Sequence, residues 1–200
     1  HTDKETGLDK EPSHLILLAE NEQGYKNLMK LDSIAFLDGF YYRPRVDHEL
    51  LRKYSDGLIA LSACLSGEIP RAILNRDLEG ARQLALEYDA IFGRGNFYLE
   101  LQENGIPEQN LVNSSLIQLS RETGIPLVAT NDCHYLKAED APAHEILMCM
   151  QTGKRMSDEE RMRLPTQNFY LRSPAEMAEA FAAVPEAIAN TGRIAERCNV

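Results

Sequence analysis

Apolar positions along the chain fall into short blocks that alternate with amphipathic stretches. The first block is His14 to Ala19 (His-Leu-Ile-Leu-Leu-Ala), followed by Asn21, a preferred helix cap, and by Tyr25, Leu28, Leu31 and Ala35 at helical spacing. The second, Gly57 to Ser62, leads through Ala63-Cys64-Leu65-Ser66-Gly67-Glu68 into amphipathic helices over Ile69–Leu74 and Leu78–Phe92. The third, Asn96 to Gln102, alternates apolar and polar at its end and precedes a helix over Pro107–Thr123. The fourth begins at Leu127, just after Pro126, and is followed by a helix over Asp140–Gln151. Gly153 to Pro174 is charged and irregular. From Pro174 to Cys198 two short helices are predicted, with Pro185 at the first turn of the second, where its missing N–H costs nothing.

Four strands separated by helices predict an α/β fold of βαβ units around a parallel sheet with right-handed crossovers. Periodicity leaves a barrel and an open doubly wound sheet as alternatives. No glycine-rich phosphate loop follows any of the blocks, which argues against both common nucleotide-binding folds.

Composition narrows the class only a little. Two hundred residues, 44% hydrophobic and 26% charged, are enough for one globular domain with a real core. No apolar run approaches the roughly 18 residues needed to span a bilayer, and no secretory pattern opens the chain, so a soluble, cytoplasmic protein without membrane contact is expected. The four cysteines are irregularly spaced with no C-x-x-C pair, which suggests reduced thiols. A net charge of −10 weighs against a broad basic face for nucleic acid. It leaves open a phosphoesterase that meets phosphate through bound cations.

The chemistry concentrates at the fourth block, where Leu-Val-Ala-Thr-Asn ends in Asp132-Cys133-His134. Residues just past a strand's carboxyl end are where β/α enzymes hold ligands, and side chains at i and i+2 of extended backbone share a side. A carboxylate and an imidazole so placed can reach one divalent metal. The alternative is a capping Asp132 and an ordinary surface His134. Cys64 after the second block, Glu100 within the third and His14 at the start of the first are further metal-competent residues. Together they suit zinc, or zinc with manganese, and a metal-activated water attacking a phosphoester. Singly each has a plainer reading: Cys64 a small buried hydrophobe, His14 a core or edge histidine, Glu100 a solvated strand residue. His14 is the awkward member, because it opens a strand where the others close one.

Several long motifs extend the pattern: His14-Leu-Ile-Leu-Leu-Ala-Glu-Asn-Glu-Gln-Gly-Tyr, Gly39-Phe-Tyr-Tyr-Arg-Pro-Arg-Val-Asp, Gly57-Leu-Ile-Ala-Leu-Ser-Ala-Cys-Leu-Ser-Gly-Glu-Ile-Pro, Ala129-Thr-Asn-Asp-Cys-His-Tyr and Cys198-Asn-Val. In this order they closely resemble the polymerase and histidinol phosphatase (PHP) domain of bacterial replicative DNA polymerase III alpha subunits. The resemblance implies a distorted β/α barrel with a metal cluster at the carboxyl ends of its strands. By motif, His14, Cys64, Asp132 and His134 match family metal-ligand positions, with Asp132 and His134 also the expected catalytic pair, while Glu100 falls outside the set. The family's His-x-His, Asp, Thr-Asp-His-Gly and Glu elements precede the counterpart of His14 and do not occur here.

The resemblance therefore implies the later part of a PHP-type barrel. Residues 1–13 read as a linker or truncated start, 14–175 as the C-terminal part of the domain, and 176–200 as a helical segment leading towards a polymerase palm. Zinc or manganese is the implied cofactor of the PHP site, with only part of that site here, and magnesium that of a palm lying outside this sequence. Implied partners are DNA, a proofreading exonuclease subunit, and sliding-clamp and clamp-loader subunits reached through other regions. Two functions follow: a metal-dependent 3′–5′ exonuclease or phosphoesterase, inactive when the segment stands alone, or an inactive platform for the proofreading subunit and brace for the polymerase core. No nucleic-acid-binding residue is assigned. Arg43, Arg45 and Lys30 read as surface cations packing their stems, and His144 and Glu145 as helical residues facing neighbouring structure.

Overall fold

The computed structural model describes residues 12–200, so nearly all of the predicted 1–13 segment lies outside the described residues. The strands are β1 (Ile16–Ala19), β2 (Leu58–Leu61), β3 (Phe97–Gln102) and β4 (Leu127–Thr130). The helices are α1 (Glu22–Leu37), α2 (His48–Lys53), α3 (Glu68–Leu74), α4 (Leu78–Phe92), α5 (Pro107–Thr123), α6 (Ala141–Thr152), α7 (Pro174–Ala180) and α8 (Pro185–Arg197). Local chemistry sets their ends. Asn21 Oδ1 accepts from Gly24 N at 3.0 Å, Asp77 Oδ1 from Gly80 N at 2.9 Å, and Ser173 and Glu176 satisfy each other's backbone N–H groups. α5 stops at Gly124, whose φ of 75° suits a residue without Cβ.

The sheet has the order β1-β2-β3-β4. β2, β3 and β4 run parallel, as the alternation of strands and helices predicts. β1 corrects the expectation of a wholly parallel sheet: it pairs antiparallel with β2, Ile16 opposite Leu61 and Ala19 opposite Leu58. The physical reason lies in the excursion between them. Its first and last residues meet, Glu20 N donating to Gly57 O at 2.9 Å, so the chain leaves and returns at the same end of the sheet. One helix would have carried it to the opposite end and made the pair parallel. The short α2, which the sequence pattern does not reveal, supplies the return pass.

β2 and β3 are buried along their whole length. On one face Phe97, Leu99 and Leu101 pack with Ala85 and Ile91 of α4 and Val112 and Leu116 of α5. On the other, Ile59, Leu61, Tyr98 and Val128 form a smaller cluster with Ile194 of α8. Burying each such large side chain contributes about 1.5–3 kcal/mol. α8 belongs to this packing: Asn190 Nδ2 donates at 2.7 Å to Leu127 O, and Arg197 Nε donates at 2.8 Å to Glu20 Oε1. The Asn190 amide thereby satisfies a main-chain acceptor of β4, one of the two edge strands in the sheet order. No helix among the described residues is long and apolar enough to cross a membrane.

Candidate metal centre

The antiparallel β1 resolves the position of His14. Because β1 runs against its neighbours, its first end lies with the carboxyl end of β2, and His14 bridges Gly67, its N–H donating to Ser66 O at 3.0 Å. Its side chain meets the turn after β2, with Nδ1 3.5 Å from Cys64 Sγ. Ala63, at φ 62°, sets that turn, and Gly67 closes it so tightly that a Cβ there would stand 2.2 Å from Ser62 O. His14 also lines a wide cleft of about 1050 Å³ with Arg43, Arg45 and His48. Arg45 is held along that wall, donating at 3.0 Å to Gly39 O and lying over the Tyr41 ring.

The second pair stands past β4. Asp132 Oδ1 is 3.4 Å from His134 Nε2, and Asn104 Nδ2 faces the other oxygen, Oδ2, at 3.4 Å. Asp132 takes φ 37°, a left-handed conformation costing on the order of 1 kcal/mol for a residue with a Cβ. Neighbours hold the strained turn. Asn131 Nδ2 donates to Tyr170 O at 2.7 Å, His134 N donates to Phe169 O at 2.8 Å, and the Phe169 ring stands edge-on to His134 at 5.2 Å. Strain of this kind gathers where geometry has to be fixed.

Behind the turn lies a buried polar column, and its first member, Glu100, is not the solvated strand residue of its plainer sequence reading. Glu100, Gln102 and Asn104 are 4%, 5% and 2% exposed. Glu100 Oε1 accepts from Thr130 Oγ1 at 2.5 Å and from Gln102 Nε2 at 3.2 Å, while Oε2 has no hydrogen-bond partner among the described residues. Burial pushes the Glu100 carboxyl above the usual range, against the lowering pull of those two donors. Glu100 is a buried prop of the turn rather than a solvated strand residue. The signal was available in part: Glu100 and Gln102 share one side of a strand whose neighbouring blocks are apolar up to Ser62 and Thr130, the hydroxyl residues that bond Glu100.

The four sequence-predicted ligands thus fall into two pairs, His14 with Cys64 and Asp132 with His134. No group of three or more His, Cys, Asp or Glu able to hold one metal occurs among the described residues. Each pair nevertheless fits a metal's coordination edge. Zinc–sulfur bonds of about 2.3 Å and zinc–nitrogen or –oxygen bonds of about 2.0–2.2 Å at tetrahedral angles separate two donors by roughly 3.4–3.6 Å. The observed 3.5 Å and 3.4 Å match. Thiolate with imidazole favours zinc, and carboxylate with imidazole also accepts manganese.

Both donor pairs lie at the end of the sheet where β2, β3 and β4 finish, the end at which β/α proteins hold their ligands. The PHP domain family matches residues 3–104, half of the sequence, and the chain belongs to that family. It is similar to the DNA polymerase III subunit alpha of Borreliella burgdorferi, 53% identical over 98% of this chain and 17% of that protein. Those of Treponema pallidum (48% identical, 94% of this chain and 16% of the relative) and Thermus aquaticus (46%, with 97% and 16%) are similar as well. The chain spans about a sixth of the length of these curated relatives.

Proposed function

We propose that this chain is the part of a DNA polymerase III alpha subunit that carries one side of a metal-dependent phosphoesterase centre, acting as a 3′–5′ exonuclease. The observation that carries the reading is the spacing of Asp132 Oδ1 and His134 Nε2, 3.4 Å apart on a turn held in a left-handed conformation. His14 and Cys64 supply a second pair at the same end of the sheet. Zinc or manganese, when bound, lowers the pKa of a water and screens phosphate charge. The protein's own residues orient and exclude. Asn104 fixes the rotation of the Asp132 carboxylate, and Phe169 holds the plane of the His134 ring.

In this reading the parent replicates DNA as a template-directed nucleotidyltransferase in the cytoplasm. Its magnesium-binding palm lies outside this sequence, and the proofreading exonuclease subunit, sliding clamp and clamp loader are its partners. The test is titration of zinc and manganese into the chain and its Asp132→Asn variant by calorimetry, with exonuclease rates for the parent carrying the same change. Asparagine keeps the shape and removes the charge, so metal affinity and exonuclease rate should both fall while nucleotide incorporation persists. Unchanged metal affinity together with unchanged exonuclease rate would sink the assignment.

A second reading has its own support in the separation of the donors into two pairs rather than a group of three. In it the segment is a platform for the proofreading subunit and a brace for the polymerase core. Absence of stoichiometric metal from the purified parent would favour that role.

A further inference from the structure

Residues 166–172 form a strap without helix that runs across the turns following β3 and β4, and it holds both at once. One of them carries the second candidate pair. There His134 N donates to Phe169 O at 2.8 Å, Asn131 Nδ2 to Tyr170 O at 2.7 Å, and Leu171 N to Tyr135 O at 3.1 Å. The other carries Asn104, whose main-chain O accepts from Thr166 Oγ1 at 2.5 Å.

An ion pair ties the far end of the strap to the same turn. Arg172 Nη2 donates at 3.0 Å to Glu103 Oε2, with the Arg172 side chain only 8% exposed. The other oxygen, Glu103 Oε1, accepts from Gly105 N at 3.1 Å, so one carboxylate links the guanidinium to the backbone just past Asn104. Asn104 is thereby gripped on both sides, and its Nδ2 faces Asp132 Oδ2 at 3.4 Å. Immediately after Arg172 the chain enters the capped start of α7, where Glu176 accepts from the Tyr170 hydroxyl at 2.8 Å and anchors the strap's end. Exchanging a buried ion pair for apolar side chains is often neutral for stability. What Arg172 supplies is direction.

We propose that Arg172 is a positioning residue of the Asp132–His134 pair. Through Glu103 it sets the turn that presents Asn104 to Asp132, and through the strap it holds the loop of Asp132 and His134 against that turn. The two loops then keep one relative placement, and a divalent cation meets donors already arranged. This purpose rests on the metal-dependent phosphoesterase reading, whereas the placement itself belongs to the chain without metal.

Two readouts separate these ideas. In the isotope-labelled chain without metal, Arg172→Ala should speed amide exchange at His134 and Leu171 by about tenfold or more, while Leu99 N–H, which donates to Pro126 O, stays protected. Zinc is then titrated with the ring signals of His134 and His14 followed separately. Affinity read at His134 should fall about 10–100-fold, as for other partners that orient a ligand, and affinity read at His14 should change by less than about twofold. Glu103→Gln breaks the same contact with little change of shape, and it carries the test should Arg172→Ala not fold. The double variant should be no worse than either single one, because each removes one shared contact. Unchanged His134 exchange in the folded variants, faster exchange spread equally over His134 and Leu99, or additive losses in the double variant would overturn the proposal. Absence of zinc binding by the unaltered chain would instead defeat the metal reading, and the exchange result would still decide the role of Arg172.

Discussion

His14 Nδ1 lies 3.5 Å from Cys64 Sγ although fifty positions separate the residues. The contact exists because β1 is antiparallel: the residue that opens β1 stands where β2 closes. A sulfur and an imidazole nitrogen form the softer of the two donor pairs. Cys64→Ser should therefore lower zinc affinity more than manganese affinity, since an alkoxide oxygen is a far poorer zinc ligand than thiolate. Competition titrations with the two metals read the ratio. An unchanged zinc-to-manganese preference would remove Cys64 from the ligand set.

Asn104 is the group that fixes Asp132. Its side chain is 2% exposed, its Nδ2 faces Asp132 Oδ2 at 3.4 Å, and its main-chain O accepts from Thr166 Oγ1 at 2.5 Å. Partners that orient a ligand typically change metal affinity 10–100-fold when lost. Asn104→Ala is expected to lower affinity at the Asp132–His134 pair within about that range, measured by calorimetry alongside thermal unfolding. Full affinity in a folded Asn104→Ala protein would show that Asp132 is oriented by its own backbone alone.

Much of this architecture was legible in the sequence. α4 and α5 follow the limits set by amphipathic spacing, Asn21 caps α1, and Pro185 begins α8. The direction of β1 was not, because it depends on α2, six residues long and too short for a periodic signal. His14 looked misplaced for that reason alone. Glu100 was misread for a different cause: alternation suggests a wet face, but Thr130 at the end of β4 and Gln102 close on its carboxylate, and burial depends on tertiary packing that one strand cannot reveal. The pairing of the four candidate ligands, two by two, is likewise a property of the turns rather than of their spacing.

Close backbone approach gives a sharp stability prediction. A Cβ added at Gly24 would stand 1.8 Å from Gly57 O, and Gly57 itself has φ 69°. Glu20 N donates to the same carbonyl, so it cannot withdraw freely. Overpacking commonly costs about 1–3 kcal/mol and more where backbone must move. Gly24→Ala should destabilise by at least that amount in denaturant unfolding and loosen β1, weakening the His14–Cys64 pair. A loss below about 0.5 kcal/mol would mean that α1 shifts away without cost.

Away from the metal pairs, His48 joins three elements. Its Nε2 lies 3.0 Å from Glu68 Oε2 and 3.1 Å from Tyr88 Oη, and its Nδ1 lies 3.0 Å from Glu87 Oε1, which also binds Arg52 at 3.1 Å. Hydrogen bonding to Glu68 first, with Glu87 adding to it, raises the His48 imidazole to about 9 against an opposing desolvation. His48 in turn holds the Glu68 carboxyl below its ordinary range. A group whose folded pKa exceeds its unfolded value stabilises fully below the unfolded value and loses that contribution as pH rises through the folded one. For His48 the loss therefore runs from about pH 6.5 to about 9. Glu68 acts in the opposite sense, its contribution disappearing as pH falls below its ordinary value of 4.5. Thermal midpoints measured from pH 4 to 10 should be highest between these limits and decline on both sides. His48→Gln should flatten the alkaline decline while leaving Arg52–Glu87 in place. An equally steep alkaline decline in that variant would assign the effect to other groups.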